Sequence, residues 1–440
     1  MFLKSLIVFI ISGLVSSSKV ATSTSGMSSS VLCLNKWITH SLFEAYGQNE
    51  ACPTPYHGRS LIPRQSTAGT ELNFNGSKWI WTDELDNNGL AVTPSNRAFR
   101  KAFAAPDGKT PSTLKIAFAV DNVATLFVNG EQIGTNDNWH TASTYCVPLK
   151  PCSNVIAFNA TNKNDTVAPR NHAALLVTGE ITYTDGSTSR VISDQSWHVF
   201  GLSGASIPNG WESPSFDDSS WDLAISEGTF PNQDPDNYGS PIIAGTDPLS
   251  MSPASWIWTN EITAPASPVS PGTRAFRRTI ELPPGHTSAS AQVLIVADNE
   301  YSLYVNGRFV GTGTDWHTAQ RFNIDNIQGP RVAVAIYAVN TKDARDASPA
   351  GLLTSMQIVS SNPDLCLSNC TSSTYLVTNG DWKANNSVPS GFEQPGFDDS
   401  TWSLATTEGT FGSSHWAPRP SVPSSISPAG TPLPSAPAGN

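Results

Sequence analysis

The chain contains one long sequence pattern twice, and this duplication constrains its fold more than any other feature. Trp-Ile-Trp-Thr at 79–82 returns at 256–259, and Arg-Ala-Phe-Arg at 97–100 returns at 274–277. Both pairs lie 177 positions apart, since 256 − 79 and 274 − 97 are equal. A period this long indicates two duplicated domains rather than the short units of a solenoid.

Each copy has the pattern of β-strands. Apolar residues alternate with smaller or polar ones from Leu114 to Val120, which places one face of a strand in a core. Asn129-Gly130 follows Leu126-Phe127-Val128, and Asn-Gly accepts the positive φ angles of a tight hairpin turn. With 32 Gly, 33 Pro and 14% charged residues, the composition suits an all-β protein. The sequence therefore predicts two tandem antiparallel β-sandwiches of the jelly-roll type.

The ends of the chain differ in composition from the two copies. Lys4 precedes the apolar run Ser5–Val15 and then small residues, which predicts a signal peptide and secretion to the extracellular space or cell wall. No later stretch approaches the roughly 20 apolar residues of a membrane-spanning helix. The predicted divisions are a signal peptide at 1–18, an N-terminal extension at 19–76, sandwiches at 77–230 and 254–411, a linker at 231–253 and a disordered Pro/Ser-rich tail at 412–440.

Cysteines and glycosylation sequons fit an extracellular protein. The six cysteines form sequence-local pairs with plausible disulfide spacing, although spacing does not prove connectivity: Cys33 with Cys52, Cys146 with Cys152, and Cys366 with Cys370. Asn-x-Ser/Thr sequons, which can carry glycans in a secreted chain, start at Asn75, Asn159, Asn164, Asn369 and Asn385. The net charge of −11 argues against nucleic acid as a partner, because phosphates demand clustered Lys and Arg.

Both copies resemble the galactose-binding-like β-sandwich that serves as an accessory domain in α-L-rhamnosidases, including the rhamnose-binding module family. The resemblance rests on Trp-Ile-Trp at 256–258, Ala-Asp-Asn-x-Tyr-x-Leu-Tyr-Val-Asn-Gly at 297–307 and Gly-Leu-Leu at 351–353, with Phe-Asp-Asp-Ser-x-Trp near the end of each copy. It covers about 77–230 and 254–411. The first copy is looser, since Val123 and Ala124 replace Glu300 and Tyr301.

The resemblance implies a sugar site at the end of a core strand. In the rhamnose-binding family an Asp-Asn pair touches the sugar, and a calcium ion can take part. A carboxylate accepts hydrogen bonds from sugar hydroxyls, an amide both donates and accepts, and an indole ring offers an apolar face. The candidate carbohydrate-binding residues are Asp298, Asn299, Arg274, Trp316 and Asn340, with Asp121, Asn122, Arg97, Trp139 and Asn162 in the first copy. The expected partners are glycans or cell-wall polysaccharide.

Simpler structural roles compete with several of these assignments. An Asp-Asn pair at a strand end is also typical of a turn cap. Trp79, Trp81, Trp256 and Trp258 fit the core better than a ligand platform. The Phe-Asp-Asp-Ser-x-Trp segments fit a turn held by Asp with Trp packed beneath, with metal binding as the alternative. His140 and His317 have no neighbouring nucleophile in sequence, which favours surface hydrogen bonding.

Three functions remain after these exclusions. A secreted carbohydrate-binding protein without catalytic activity fits the resemblance best. A structural or adhesive cell-wall protein fits the sequons and the Pro/Ser-rich tail. A glycoside hydrolase needs two carboxylates across a cleft, and rhamnosidases hold theirs in a separate helical barrel for which two sandwiches leave no room. The sequence also lacks the nucleophile elbow, phosphate loop and zinc-protease motifs.

Overall fold

The structure is a computed structural model that describes residues 65–66, 71–83, 95–151, 153–163, 172–201, 205–231, 239–341, 348–362 and 370–434. All of them belong to one compact unit, Thr54–Asn440. The predicted signal peptide lies outside the described residues, as do Cys33, Cys52, Cys152, Cys366, Asn164 and Asn369. The described part of the chain contains no helix long and apolar enough to cross a membrane.

Almost all regular structure in the described residues is β-strand. The strands of the first half are Gln65–Ser66 (β1), Lys78–Trp81 (β2), Ser95–Ala104 (β3), Pro111–Asp121 (β4), Val123–Val128 (β5), Glu131–Asn136 (β6), Thr141–Pro148 (β7), Ser153–Asn162 (β8), Ala174–Tyr183 (β9), Thr188–Ile192 (β10), His198–Phe200 (β11), Asp222–Leu223 (β12), Ile225–Thr229 (β13) and Ile242–Ile243 (β14). Those of the second half are Ser255–Trp258 (β15), Gly272–Glu281 (β16), Ser288–Asp298 (β17), Glu300–Val305 (β18), Arg308–Gly313 (β19), Gln320–Gln328 (β20), Arg331–Asn340 (β21), Gly351–Ser361 (β22), Thr371–Val377 (β23), Lys383–Asn385 (β24), Ser403–Leu404 (β25) and Thr406–Thr410 (β26).

Each copy is a sandwich with a smaller and a larger sheet. The smaller sheets have the orders β12-β11-β3-β8-β5-β6 and β19-β18-β21-β16-β24-β25, so the second copy repeats the first strand for strand. The larger sheets of both copies join into one sheet of 14 strands. The predicted fold class, tandem antiparallel β-sandwiches, is confirmed.

The alternating pattern in β4 and β17 separates two apolar layers. Ile116 and Phe118 of β4 lie between the sheets of the first copy, and Val293 and Ile295 of β17 do so in the second. The intervening residues, Ala117, Ala119, Leu294 and Val296, are also buried, because they pack into further apolar clusters on the outer face of the larger sheet. Both faces of the central strands are therefore covered.

The predicted hairpin is present in both copies. Asn129 and Gly130 connect β5 to β6 with φ angles of 54° and 89°, and Asn306 and Gly307 repeat this turn with 46° and 77°. Left-handed backbone of this kind is what Asn and Gly tolerate better than other residues.

The two copies are joined at the edges of their larger sheets. Ser373 of β23 pairs with Thr144 of β7, and a disulfide links Cys146 in β7 to Cys370 just before β23. The predicted pairs Cys146–Cys152 and Cys366–Cys370 are therefore wrong. Spacing along the chain favoured local partners, whereas the β7–β23 contact brings residues 224 positions apart within 5.2 Å at Cα.

The predicted linker is partly built into the fold. Residues 242–243 form β14, which pairs in parallel with β7 of the first copy. Leu249, Met251 and Ala254 are buried in the outer cluster of the second copy. The extension before residue 77 also contributes, since Leu72 and Phe74 are buried in the first copy.

The prediction of a disordered tail is wrong for residues 412–434. The amide of Ala319 donates to Ser421 O, and that of Ser421 donates to His317 O, which repeats the contact of β14 with the first copy. Ser427 N donates to Arg321 O, and Leu433 N donates to the Ser302 hydroxyl. A Pro/Ser-rich composition disfavours helices and central strands, but an extended segment of this kind can still bond to a strand edge.

Candidate functional site

The two Asp-Asn pairs lie at matching positions where β4 and β17 end. Asp298 falls on the outer face of its sheet, because it continues the alternation of Leu294 and Val296. Asp121 continues Ala117 and Ala119 in the same way. Each Asp is 9% exposed, and each Asp–Asn peptide bond is cis. The repeat therefore places one carboxylate at the same corner of each sandwich.

The Asn side chains hold the carboxylates in place. Asn299 Nδ2 donates to Asp298 Oδ1 at 3.0 Å, and Asn299 Oδ1 accepts from Thr341 N at 2.8 Å. In the first copy Asn122 Nδ2 donates to Asp121 Oδ1 at 2.7 Å, and Asn122 Oδ1 accepts from Lys163 N at 2.7 Å. Each amide therefore spends its oxygen and one N–H locally, which makes it a positioning group more than a ligand group.

In the second copy the carboxylate holds an aromatic ring from the tail. Trp416 Nε1 donates to Asp298 Oδ2 at 3.2 Å, and the Trp416 ring stacks on Trp256 with centroids 4.3 Å apart and planes 13° from parallel. Gly351 lies beneath both rings, since a Cβ there would be 2.6 Å from Trp416 Cζ2 and 2.9 Å from Trp256 Cε3. We call Asp298, Trp256 and Gly351 the cradle. It accommodates a flat ring that has one hydrogen-bond donor at its edge.

A second buried carboxyl adjoins the cradle. Glu408 in β26 is 2% exposed, and its Oε2 accepts from Ala266 N at 3.1 Å. Glu408 Oε1 and Trp256 Nε1 have no hydrogen-bond partner among the described residues. Burial, together with the nearby charge of Asp298, raises the pKa of Glu408 to about 8, although the hydrogen bond from Ala266 acts in the opposite direction. The pKa of Asp298 is raised to about 6, again by burial, although Trp416 and His317 act in the opposite direction. At pH 7 the group therefore has one protonated acid and one carboxylate.

The loop tryptophan of the second copy converges on the same place. Trp316 is half-buried and packs against the cluster that contains Trp256 and Trp416. Its neighbour His317 stacks on it at 3.8 Å and is near enough to Asp298 to affect that group's pKa. The strand-end carboxylate and the loop indole thus both adjoin the same outer cluster, Asp298 through its bond to Trp416 and Trp316 by packing.

The first copy has the same components with one exchange. Trp79 and the half-buried Trp139 share the outer cluster of that copy, as Trp256 and Trp316 do in the other. Ala174 pairs with Asp121 in the register in which Gly351 pairs with Asp298. Burial lowers the pKa of His140 to about 4, so this ring next to Trp139 is neutral at pH 7.

Comparisons with known proteins found similarity to an enzyme and to a lectin. No family profile matches the chain. An α-L-rhamnosidase of Streptomyces avermitilis is 29% identical over 180 residues, which is 39% of this chain but 16% of that enzyme. A lectin of Pleurotus ostreatus, solved in complex with GalNAc, is 32% identical, covering 85% of this chain and 98% of the lectin, with a TM-score of 0.37. The rhamnosidase solved with L-rhamnose has 18% identity, covers 79% of this chain and 34% of that chain, and has a TM-score of 0.31.

The two copies are galactose-binding-like β-sandwiches. They are similar to the accessory domains of α-L-rhamnosidases, and the chain spans only a small part of the rhamnosidase that it matches.

Two predicted sugar-binding arginines lie inside the galactose-binding-like sandwiches. Arg274 is held by both oxygens of Glu261, at 2.6 Å from Nε and 2.9 Å from Nη2, and it also donates to Thr273 O. Arg97 is 2% exposed and donates to Asn96 O. The pairing of Arg274 explains its burial, because a buried guanidinium needs a carboxylate partner.

The two strand-end asparagines differ in their surroundings. Asn340 donates to Val269 O at 2.8 Å and accepts from the Ser348 hydroxyl at 3.0 Å, which ties two loops to β21. Asn162 is fully buried, and its amide has no partner among the described residues. Asn340 is thus a structural group in the second copy.

The remaining sequence motifs have structural roles. Trp81 and Trp258 lie in the inner cores. Arg100 pairs with Asp218 at 2.7 Å and Arg277 pairs with Asp399 at 2.8 Å, so the Phe-Asp-Asp-Ser segments are turns tied to the smaller sheets. Among the described residues no group of three or more His, Cys, Asp or Glu side chains could hold a metal ion. Calcium binding stays a prediction.

Sequence reasoning missed Trp416, Glu408 and Gly351. Trp416 lies in a tail interpreted as low-complexity, yet a lone Trp among Pro and Ser is the kind of residue that docks. Glu408 belongs to the repeated Glu-Gly-Thr-Phe motif, at 227–230 and 408–411, and that repetition was a signal for a shared role. Gly351 is distinguished only by the Ala174 at its matching position.

Proposed function

We propose that this chain is a secreted carbohydrate-binding protein without catalytic activity, which binds galactose- or rhamnose-type sugars of extracellular or cell-wall glycans. The proposed contacts are the carboxylate that ends β4 in the first copy and the matching carboxylate in the second. Each carboxylate is fixed by its neighbouring Asn and lies beside tryptophan rings on the outer face of the larger sheet.

The observation that carries this proposal is the way the cradle holds Trp416. A pyranose ring needs the same two contacts that the indole makes, an aromatic platform for its C–H face and a carboxylate for a hydroxyl. With Trp416 in place, Asp298 is 9% exposed and Trp256 is 0% exposed, so a ring in the cradle excludes water from both contacts. A hydrogen bond to a charged acceptor contributes about 1.5–3 kcal/mol in such surroundings.

The first copy supplies the corresponding groups. Asp121 has the same position and the same Asn partner as Asp298, and Trp139 is a half-buried ring in the cluster of Trp79. We place the sugar of the first copy with a hydroxyl on Asp121 and its apolar face on Trp139.

Glycan-array binding tests the proposal. The wild-type protein is expected to bind glycans ending in galactose, N-acetylgalactosamine or L-rhamnose, and Asp121→Ala should weaken binding at least about tenfold, the equivalent of about 1.4 kcal/mol. Asp107→Ala, at an exposed aspartate of the same copy, is the matched control and should bind like wild type. A folded wild-type protein that binds no glycan would favour the structural or adhesive role instead.

Hydrolysis is a second candidate because Asp298 and Glu408 are neighbouring carboxyls with pKa values near 6 and 8. Such a pair resembles an acid and a base poised at neutral pH. Both groups are nearly inaccessible, however, and Asp298 is already bonded to Trp416. We therefore expect no release of nitrophenol from nitrophenyl galactoside or rhamnoside, and turnover that Glu408→Gln abolishes would reverse this choice.

A further inference from the structure

We propose that Trp416 is an intramolecular cap on the second sugar site, so that the folded chain presents one sugar site, in the first copy, and opens another when the cap leaves. This proposal rests on the proposed sugar-binding function. It assigns to the tail the role of a competing ligand.

The contacts of Trp416 are those of a bound ligand. Its ring is 1% exposed and stacks on Trp256 at 4.3 Å, and its N–H donates to Asp298. The rest of the tail is held at a different place, because residues 421–433 hydrogen-bond to β20, β19 and β18 rather than to the cradle. Trp416 is therefore the residue through which the tail fills the site.

The buried polar groups around the ring indicate a site built for a more polar occupant. Trp256 Nε1 and Glu408 Oε1 are buried and have no hydrogen-bond partner among the described residues. Buried polar atoms without partners are costly to the folded state. An indole has one N–H and cannot satisfy them, whereas a sugar carries several hydroxyls that both donate and accept. Glu408 is protonated at pH 7, which adds a donor on this side of the cradle.

Two differences between the copies make the cap specific to the second copy. Gly351 lets Trp416 approach the β22 backbone, because a Cβ at this position would lie 2.6 Å from the indole. The first copy has Ala174 there, whose Cβ would collide with an indole in the same pose. The segment that follows the first copy, 231–241, also contains no Trp. Among the described residues, the first copy therefore has neither a glycine at this position nor a tail indole that corresponds to Trp416.

Tethering explains why a free sugar would not displace the cap. A tethered group competes at an effective concentration of about millimolar order. The tail is further held by the Ser421 and Ser427 amides, which bond to His317 O and Arg321 O. A sugar with a dissociation constant of about millimolar order would not overcome this competitor at lower concentrations.

Isothermal titration calorimetry of the full chain with galactose, N-acetylgalactosamine and L-rhamnose tests the cap. Wild type is expected to bind one sugar per chain and Trp416→Ala two. Asp298→Ala in the Trp416→Ala background should return the count to one. Gly351→Ala is a second way to expel the indole, because the added Cβ would overlap the Trp416 ring. The strand should tolerate this substitution, since the first copy has Ala174 at the matching position.

Gly396→Ala is the control for that exchange, since a Cβ there meets nothing within 4 Å, and it should leave one site. Thermal unfolding identifies any variant that fails to fold, so that Gly351→Ala can replace Trp416→Ala. Two sites in wild type, one of which is lost in Asp298→Ala, would overturn the cap and leave sugar binding intact. Binding of no sugar by wild type and by both uncapped variants would instead overturn the proposed function.

Discussion

In each Asp-Asn pair the Asp ends a central strand, and the Asn next to it donates a hydrogen bond to its carboxylate. The Asp as the proposed sugar contact and the Asn as its positioning group have different roles, and these depend on contacts that sequence spacing does not reveal. Each Asn is bonded to its own Asp and to a backbone amide about 40 residues away. Arg274 was assigned to the sugar, but its partner Glu261 lies in a loop whose path the sequence does not specify.

Glu408 should make stability fall as pH rises. Its pKa is about 8 in the folded protein against an ordinary value of 4.5, so the folded state keeps a proton that the unfolded state releases between these values. Unfolding free energy should therefore decrease by up to about 1.4 kcal/mol per pH unit in that window. Urea unfolding at pH 6, 7 and 8 should show a flatter dependence for Glu408→Gln.

Above pH 6 the carboxyl of Asp298, with a pKa of about 6, contributes less to this slope. The hydrogen bond with Asp218 raises the pKa of His198 into the same window, but His198 titrates in wild type and in Glu408→Gln alike, so the difference between the two slopes reports Glu408. Glu131→Gln, at an exposed glutamate, is the control and should keep the wild-type slope. An identical slope in Glu408→Gln would contradict the protonated state assigned to Glu408.

Arg274 should contribute to stability and not to sugar affinity. Arg274→Ala removes two charge-assisted hydrogen bonds to Glu261 and leaves that carboxylate unpaired, which should lower the unfolding free energy by about 2–3 kcal/mol. Sugar affinity of the first copy, measured by calorimetry below the melting temperature, should stay within about twofold of wild type. A selective loss of affinity at unchanged stability would restore the arginine to the binding site.

The strands were predictable from their sequence patterns, and the connections between them were not. Alternation placed Ile116 and Phe118 in a core, and Asn129-Gly130 marked a hairpin that is present. The prediction for the segment 412–434 was wrong because its composition indicates only low helix and strand propensity. The segment is ordered by hydrogen bonds to the β20 edge and by the burial of Trp416. Contacts with distant parts of the chain determine whether such a segment is ordered, and a local sequence pattern does not reveal those contacts.

The contact between β7 and β23 should depend on the Cys146–Cys370 disulfide. Its ends are 224 residues apart, and closing a loop of that length in the unfolded chain gives up to about 5 kcal/mol in the chain-entropy model. A Cys146→Ser, Cys370→Ser double variant should therefore unfold at a distinctly lower urea concentration, and its two copies should begin to melt separately. An unchanged midpoint would mean that the remaining β7–β23 contacts suffice.

The molecule as a whole consists of two matching sandwiches fused edge to edge, with similar sites that have diverged. Duplication was readable because the early motifs of the two copies lie 177 positions apart (256 − 79) and the late ones 181 (397 − 216). It placed an Asp at the end of the same central strand in each copy. The sequence did not predict how the two sites differ. The difference lies in Gly351, where the first copy has Ala174, and in Trp416 of the tail. One copy retains the proposed sugar site, and the other binds its own chain.

A crystal structure of the wild-type protein soaked with N-acetylgalactosamine tests this account most directly. We expect the sugar in the first copy, with a hydroxyl on Asp121 and its apolar face on Trp139, while Trp416 remains stacked on Trp256 in the second copy. A sugar bound away from Asp121, or one bound in the second copy with Trp416 still in the cradle, would contradict it.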